Sequence, residues 1–246
     1  MEETRIFKEG HTAGTFDVLR TEEKYPLNCM SSRILSAHLC AVMQKDEYME
    51  NDDGYIVRSL YFDSISDRDY FEKESGLLCR KKIRLRVYGG GAQSAKLEWK
   101  QKQGAFQRKR SLVVSRQDAQ ALIYGDYGCL RNYSEPIAEE FYAMMTGWLY
   151  RPKCIVQYNR IAFINSTNNI RITLDSNIQS HEGCFDLFRE EIPLYPVSLP
   201  DSVTLEVKYN HFLLSYIKDI ILPYVEMQSA VSKYGAARKY GLGGLL

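Results

Sequence analysis

The chain has 246 residues, with 32 Lys and Arg against 31 Asp and Glu, and 45% of the residues are hydrophobic. That apolar share is enough for a real core over one domain and excludes a disordered chain. A net charge of +1 excludes, on bulk numbers, a nucleic-acid or anionic-membrane binder. In chain order, period-2 alternation first predicts a strand near 16–25, then a helix near 31–45 capped by Ser31 or Ser32. A strand near 55–63 and a helix near 66–75 follow. Strands near 79–88, 95–102 and 106–114 come next, the first two joined by a Gly89-Gly90-Gly91 turn. This glycine run lacks the GK[ST] ending of a phosphate-cradling loop. Helices are expected near 116–124 and 135–147, the second entered through Ser134-Glu135-Pro136. Strands near 154–164, 170–175 and 203–209 and helices near 211–222 and 228–239 complete the chain. The pattern is that of an α+β protein with an antiparallel, closed or nearly closed sheet of about eight strands. One domain over 1–246 is expected, with C-terminal helices at about 211–240.

The N-terminus MEETRIFKEG is charged and carries no apolar core of a secretory signal. The most apolar stretches, Ile34–Met43 and His211–Val225, are interrupted and fall short of the roughly 18–20 residues of a membrane span. A soluble, cytoplasmic protein is therefore expected. Cys29, Cys40, Cys79, Cys129, Cys154 and Cys184 are scattered, without a CxxC pair, and are read as buried free thiols. The four histidines, His11, His38, His181 and His211, are read as structural or surface residues.

The alternate positions of the strands carry the functional signal. Arg80, Lys82, Arg84 and Arg86 share one face of their strand, and Lys96, Glu98 and Lys100 one face of the next. Arg171, Thr173 and Asp175 share a face, as do Thr204, Glu206 and Lys208. Arg20, Glu22 and Lys24 do so near the start, Arg108 and Arg110 after Gly104, and Tyr158 and Arg160 further on. A single amphipathic strand points its charges at water. Cations recurring on strand after strand are harder to explain that way, because like charges facing each other repel. One pair about 4 Å apart costs ~4 kcal/mol at an effective dielectric near 20. Such faces make sense if they converge inside a barrel around a multiply charged anion, most naturally a polyphosphate chain. Glu206 among these cations is either a structural ion-pair partner or a ligand for a divalent metal, and Glu22 and Glu98 are further metal candidates.

At this point the residues resemble a known family. Arg20-Thr-Glu22-Glu-Lys24-Tyr25 and Val57-Arg-Ser-Leu-Tyr-Phe-Asp63 look like the opening motifs of the polyphosphate polymerase domain of the vacuolar transporter chaperone (VTC) complex. Lys82-Ile-Arg84-Leu-Arg86, Leu97-Glu-Trp-Lys100, Tyr158-Asn-Arg160, Arg171-Ile-Thr-Leu-Asp175, Leu205-Glu206-Val-Lys208 and Ser232-Lys233-Tyr234 follow in the family's order. The likeness covers about residues 15–240.

That resemblance implies a triphosphate tunnel metalloenzyme, with strands closed into a tunnel lined by basic residues and the C-terminal helix near its mouth. Lys24, Arg84, Arg86, Lys100, Arg160, Arg171 and Lys233 would be its catalytic residues. Arg20, Lys82, Arg108, Arg110, Lys208 and Tyr158 would add phosphate contacts. The register after Gly104 would turn Lys109 inward instead if a bulge intervenes. Glu206 would hold Mn²⁺ or Mg²⁺. Arg20 stands where the superfamily's E-x-E-x-K opening has its first Glu, which argues for the polymerase branch over a two-carboxylate hydrolase. The implied partners are ATP and inorganic polyphosphate, with no nucleic acid, and a membrane-protein partner by analogy only. The implied reaction moves the γ-phosphoryl group of ATP onto a growing polyphosphate chain. Triphosphate hydrolysis and non-catalytic polyphosphate binding are the alternatives. On this reading Arg84→Ala or Arg160→Ala would cripple turnover without unfolding the protein.

Overall fold

A computed structural model of the chain describes residues 20–88, 92–104, 106–225 and 232–243. The strands are β1 (Arg20–Asn28), β2 (Gln44–Lys45), β3 (Tyr55–Asp63), β4 (Cys79–Tyr88), β5 (Ser94–Gln103), β6 (Phe106–Ser115), β7 (Arg151–Asn165), β8 (Ile170–His181), β9 (Tyr195–Pro196) and β10 (Ser202–Asn210). The helices are α1 (Cys29–Val42), α2 (Arg68–Glu74), α3 (Arg116–Ile123), α4 (Pro136–Gly147), α5 (Ser215–Ile221) and α6 (Lys233–Gly243).

Eight strands form one antiparallel path in the order β1-β10-β8-β7-β3-β4-β5-β6, while β2 pairs with β7 and β9 with β8. The sheet curls into a half-barrel. Its convex side is apolar, as period-2 alternation demands, and two groups of helices cover it. Ile83, Leu85, Leu97, Leu112 and Val114 of β4–β6 pack against Leu122 of α3 and Phe141 and Met145 of α4. Leu205, Val207, Ile172 and Leu174 pack against Leu35 and Leu39 of α1 and Ile217 and Ile221 of α5. The concave side is polar over most of its area. At one end, however, Val57, Tyr61, Cys154, Tyr158 and Ile178 form an apolar floor on which Tyr234 and Ala237 of α6 rest.

The expected elements are found with shifted ends. β1 begins at Arg20, and the predicted strand residues 16–19 lie outside the described residues, as do Gly89-Gly90-Gly91 and the first residues of the helix predicted from 228. α1 is capped by Asn28, whose side chain accepts from the Ser31 backbone N–H at 2.8 Å, and not by Ser31 or Ser32. The Glu135-Pro136 entry to α4 is present, with Pro at the first turn. Gly54 leads into β3 at φ +84°, and a Cβ there would stand 2.3 Å from the Arg160 carbonyl oxygen. Only glycine lets this turn lie against the middle of β7.

One reading needs correction. Among the described cysteines, all free, Cys154 alone is buried; Cys29, Cys40 and Cys79 are exposed. Alternation places a thiol on a strand or helix but says little of how well the next element covers it. Among the described residues, no helix is long and apolar enough to cross a membrane.

Candidate anion-binding tunnel

Strand register settles which side chains meet on the concave face. Glu22 lies opposite Lys208 and Lys24 opposite Glu206 between β1 and β10. Lys208 in turn faces Arg171, and Glu206 faces Thr173, on β8. Asp175 faces Arg160 on β7, and Tyr55 of β3 faces Arg160 from the other side. Ser59 and Tyr61 face Arg86 and Arg84 of β4. Lys82 faces Lys100, Arg84 faces Glu98, and Arg86 faces Lys96 across β4 and β5. Lys100 faces Lys109 of β6. Lys100 also reaches Glu22 at 3.1 Å, so side chains of β5 and β1 meet across the concavity although the two strands are not hydrogen-bonded to each other. Seven of the eight strands thus put cations on this face, and β3 adds Tyr55, Ser59 and Tyr61.

Each carboxylate in that lining holds several cations. Asp175, fully buried, takes two bonds of 2.7 Å from Arg160 and one ion pair of 2.7 Å from Lys233 of α6. Glu98 is held by Arg84 at 2.6 Å and Lys109 at 2.7 Å, with Arg86 at 3.8 Å. Glu206 meets Lys208 at 3.0 Å, Lys24 at 3.4 Å and Arg160 at 3.9 Å. Neutral groups orient the guanidinium heads further. Arg84 donates to the Tyr61 hydroxyl at 3.1 Å, and Arg86 to Ser59 and to the Tyr158 hydroxyl, both at 3.2 Å. Lys233 sits 4.7 Å from the centre of the Tyr158 ring. Arg171, at the rim, pairs with Asp46 at 2.7 Å and donates to the Tyr55 hydroxyl at 3.2 Å.

The electrostatics follow from this crowding. Burial works to raise the Asp175 carboxyl, but Lys233 and Arg160 overcome it and hold it down to about 2. Burial is likewise overcome at Glu206, where Lys208 and Lys24 hold the carboxyl well below its usual range. Lys82 is the opposite case: burial, reinforced by the charges of Lys100 and Lys24, pushes its ammonium down to about 7. Burial also lowers Lys208 to about 8, against the pull of Glu206 and Glu22. Lys82 is thus poorly solvated and surrounded by like charge, which a bound polyanion would relieve, while Lys208 is buried beside the carboxylates of Glu206 and Glu22.

Of the residues expected at the site, Lys24, Lys82, Arg84, Arg86, Lys100, Tyr158, Arg160, Arg171, Lys208 and Lys233 are brought together on the concave side, with Glu22, Glu98 and Glu206. Arg20 opens β1, but its side chain lies outside the described residues. Arg108 and Arg110 are not brought there. They share a face of β6 with Leu112 and Val114, the convex face, and Arg110 stacks 4.2 Å from the Trp99 ring centre while pairing with Glu140 of α4. Lys109 points inward instead, in continuous register and without a bulge. Exchanging Lys109 for Met is therefore expected to weaken tripolyphosphate binding about tenfold. Arg110→Met should leave that binding within about twofold; isothermal titration of both variants checks the assignment.

Asp175, Asp46, Lys96, Ser59 and Tyr61 complete the lining and had no role assigned from sequence. Asp175 and Lys96 were visible as members of the polar faces, but their partners lie on other strands. Among the described histidines none enters the tunnel: His38 and His211 are exposed, and His181 accepts from the Gly183 and Cys184 backbone N–H groups at 2.8 Å.

Glu22 and Glu206 fit a hard divalent cation. Both carboxylates contact the same Lys24 ammonium, at 3.3 and 3.4 Å, so a cation already sits between two oxygen donors. Mg²⁺-like ions take one or two carboxylates, water and substrate phosphates for the rest of their shell. No group of three or more His, Cys, Asp or Glu side chains gathers to hold a metal among the described residues. Glu98 is engaged by Arg84 and Lys109 and makes no contact with that pair.

The sheet is an antiparallel half-barrel with a cation-rich concave lining, a candidate anion-binding site. The family model of the VTC domain matches residues 19–241, and the chain belongs to that family. Among solved structures, it is similar to a candidate adenylate cyclase of Bacillus halodurans, with 14% identity and a TM-score of 0.47, over 87% of this chain and 94% of that one. The PH1819 protein of Pyrococcus horikoshii OT3 is similar with 11% identity and a TM-score of 0.45, over 87% of this chain and 97% of that one. No curated protein sequence matches the chain significantly.

Proposed function

We propose that this VTC-family chain is a divalent-metal-dependent polyphosphate polymerase, transferring the γ-phosphoryl group of ATP to the end of an inorganic polyphosphate chain and releasing ADP. The observation that supports it best is the lining itself. Lys24, Lys82, Arg84, Arg86, Lys96, Lys100, Lys109, Arg160, Arg171, Lys208 and Lys233 share one concave surface, and among the described residues Glu22, Asp46, Glu98, Asp175 and Glu206 are the carboxylates that balance them. A solvated sheet face has no need of that excess. An enclosed polyanion does.

In this reading the terminal oxygen of the polyphosphate chain attacks the γ-phosphorus in line, and the bond to the β–γ bridging oxygen breaks with its electron pair leaving on ADP. No protein nucleophile is needed. Arg84 and Arg86, locked by Glu98, Tyr61, Ser59 and Tyr158, present preset donors to the equatorial oxygens. Arg160 and Lys233, sharing Asp175, act from β7 and α6 beside the same Tyr158. Glu206, with Glu22, would hold Mn²⁺ or Mg²⁺, which when bound supplies charge neutralisation at the phosphate oxygens. Lys82, pushed down to about 7 by burial and its like-charged neighbours, takes up protons as the chain binds. The same reading treats 1–246 as one tunnel domain and places the reaction in the cytoplasm, with a membrane protein receiving the polymer as an analogy from the family.

Purified protein given ATP and Mn²⁺ should form a polymer ladder and stoichiometric ADP. Orthophosphate release from tripolyphosphate without polymer would favour hydrolysis. Binding of polyphosphate with neither product would make the chain a binding subunit. Glu206→Gln is expected to raise the Mn²⁺ concentration for half-maximal turnover at least about tenfold, since even partners of metal ligands carry effects of that size. An unchanged metal titration would remove Glu206 from the metal site.

A further inference from the structure

The cationic row of the tunnel does not stop at Lys82 and Lys100. One rung further along the same two strands, Arg80 faces Lys102. Three of the four successive rungs on β4 and β5 are cation against cation: Arg86 with Lys96, Lys82 with Lys100, and Arg80 with Lys102. Directly opposed like charges destabilise a sheet, so a polyanion lying along such a run would relieve it. From Arg86 to Arg80 the row spans about 20 Å at the usual ~3.3 Å per residue. It ends in a cleft of about 520 Å³ where β4, β5 and β6 meet α2, lined among others by Arg68, Arg80, Lys81, Lys102 and Arg108. Glu72 is the one carboxylate among the described lining residues, and Arg68 already holds it at 2.6 Å. Burial and the charges of Arg80 and Lys100 keep the Lys102 ammonium below its ordinary value.

We infer that this cleft is an outer polyanion subsite, which grips the stretch of polyphosphate lying beyond the tunnel at its α2 end and thereby selects long chains over short ones. The inference rests on the tunnel reading above and adds to it an end of the tunnel and a chain-length preference. Its ligand is a linear phosphate polymer held by guanidinium and ammonium groups from both sheet faces.

The test compares wild-type protein with the double variant Arg80→Gln/Lys102→Gln. Isothermal titration uses tripolyphosphate, long-chain polyphosphate, orthophosphate and a single-stranded DNA oligonucleotide. Long-chain affinity is expected to fall about tenfold or more and to depend less steeply on salt. Tripolyphosphate affinity should stay within about twofold. The exchange Arg80→Lys/Lys102→Arg, which keeps the charges, should restore long-chain binding and rules out a folding defect as the cause. Equal losses for both phosphate probes, or an unchanged long-chain affinity, would overturn the subsite. So would orthophosphate binding that depends on Arg80 and Lys102 while long-chain affinity does not, which would make the cleft an effector site. DNA bound more tightly than polyphosphate, and lost in the double variant, would overturn it in favour of nucleic acid. Wild-type protein that binds neither tripolyphosphate nor the long chain would fell the tunnel reading itself. Failure of the subsite alone leaves tripolyphosphate binding intact.

Discussion

Lys82→Met is expected to melt higher than the wild type and yet to lose about 10²–10³-fold in polymer formation, the usual cost of removing one preset donor. Lys82 faces Lys100 across the sheet and donates to the Ser232 hydroxyl at 2.8 Å. Ser232 keeps a second partner, the Gly235 N–H at 3.0 Å, so the substitution leaves no orphaned polar group. Removing an ammonium that burial and its neighbours have driven down to about 7 relieves repulsion. A gain of about 1 kcal/mol is expected, or about 2–4 °C in a chain of this size. The sign with pH is definite. With a folded pKa near 7 against an ordinary value of 10.5, the unfolded chain binds more protons across that window. Wild-type stability should therefore climb as pH rises from about 7 towards 10.5, and the Met variant should lack that climb. Thermal melts over pH, beside the polymer assay, read both effects. Wild-type turnover in Lys82→Met would remove Lys82 from substrate contact.

Arg160→Ala should be the most destabilising of the single changes considered, contrary to the expectation from sequence that it would spare the fold. Asp175 is fully buried and receives both of its short bonds to a guanidinium from Arg160. Truncation leaves that carboxylate with Lys233 alone, at a cost of about 3–5 kcal/mol and a fall in melting temperature of about 10 °C. Asp175 is held near 2, below the ordinary 3.8, so the pair's contribution is fully present above about pH 4 and is lost as pH falls towards 2. Acid unfolding of the Ala variant should accordingly be less steep. Arg160→Met combined with Asp175→Asn should recover most of the stability but none of the activity. Recovery of both would reduce the pair to a structural ion pair, and an Arg160→Ala protein that melts like the wild type would show that it stabilises nothing.

Much of this was legible in the chain. Motif and alternation together placed β4, β5, β8 and β10, because each has a polar parity and an apolar parity that do not mix. β6 misled for a stated reason. Arg108, Lys109 and Arg110 are consecutive cations, so charge alone could not choose the face. Leu112 and Val114, which share the parity of Arg108 and Arg110, were the better guide, since the convex core claims them. Asp175 was seen on the right face but without a role, because Arg160 and Lys233 come from elsewhere in the chain. β2 and β9 are two residues each, too short to show a period. The lodging of α6 inside the sheet was also hidden. Tyr234 stacks on Tyr61 at 5.0 Å and bonds to Asp63 at 2.6 Å, contacts that depend on tertiary placement and not on helical pattern.

The pairing of β1 with β10 has a consequence for how the molecule comes into being. Arg20 finds its ladder partner in Asn210, so β1 has nothing to pair with until the chain has been made past residue 210. Lys233 follows later still on α6. Loop closure over such a distance is slow and exposes an unpaired edge meanwhile. A ribosome-bound chain that stops short of β10 would thus carry an incomplete cationic lining, with β1 unpaired and Lys233 missing.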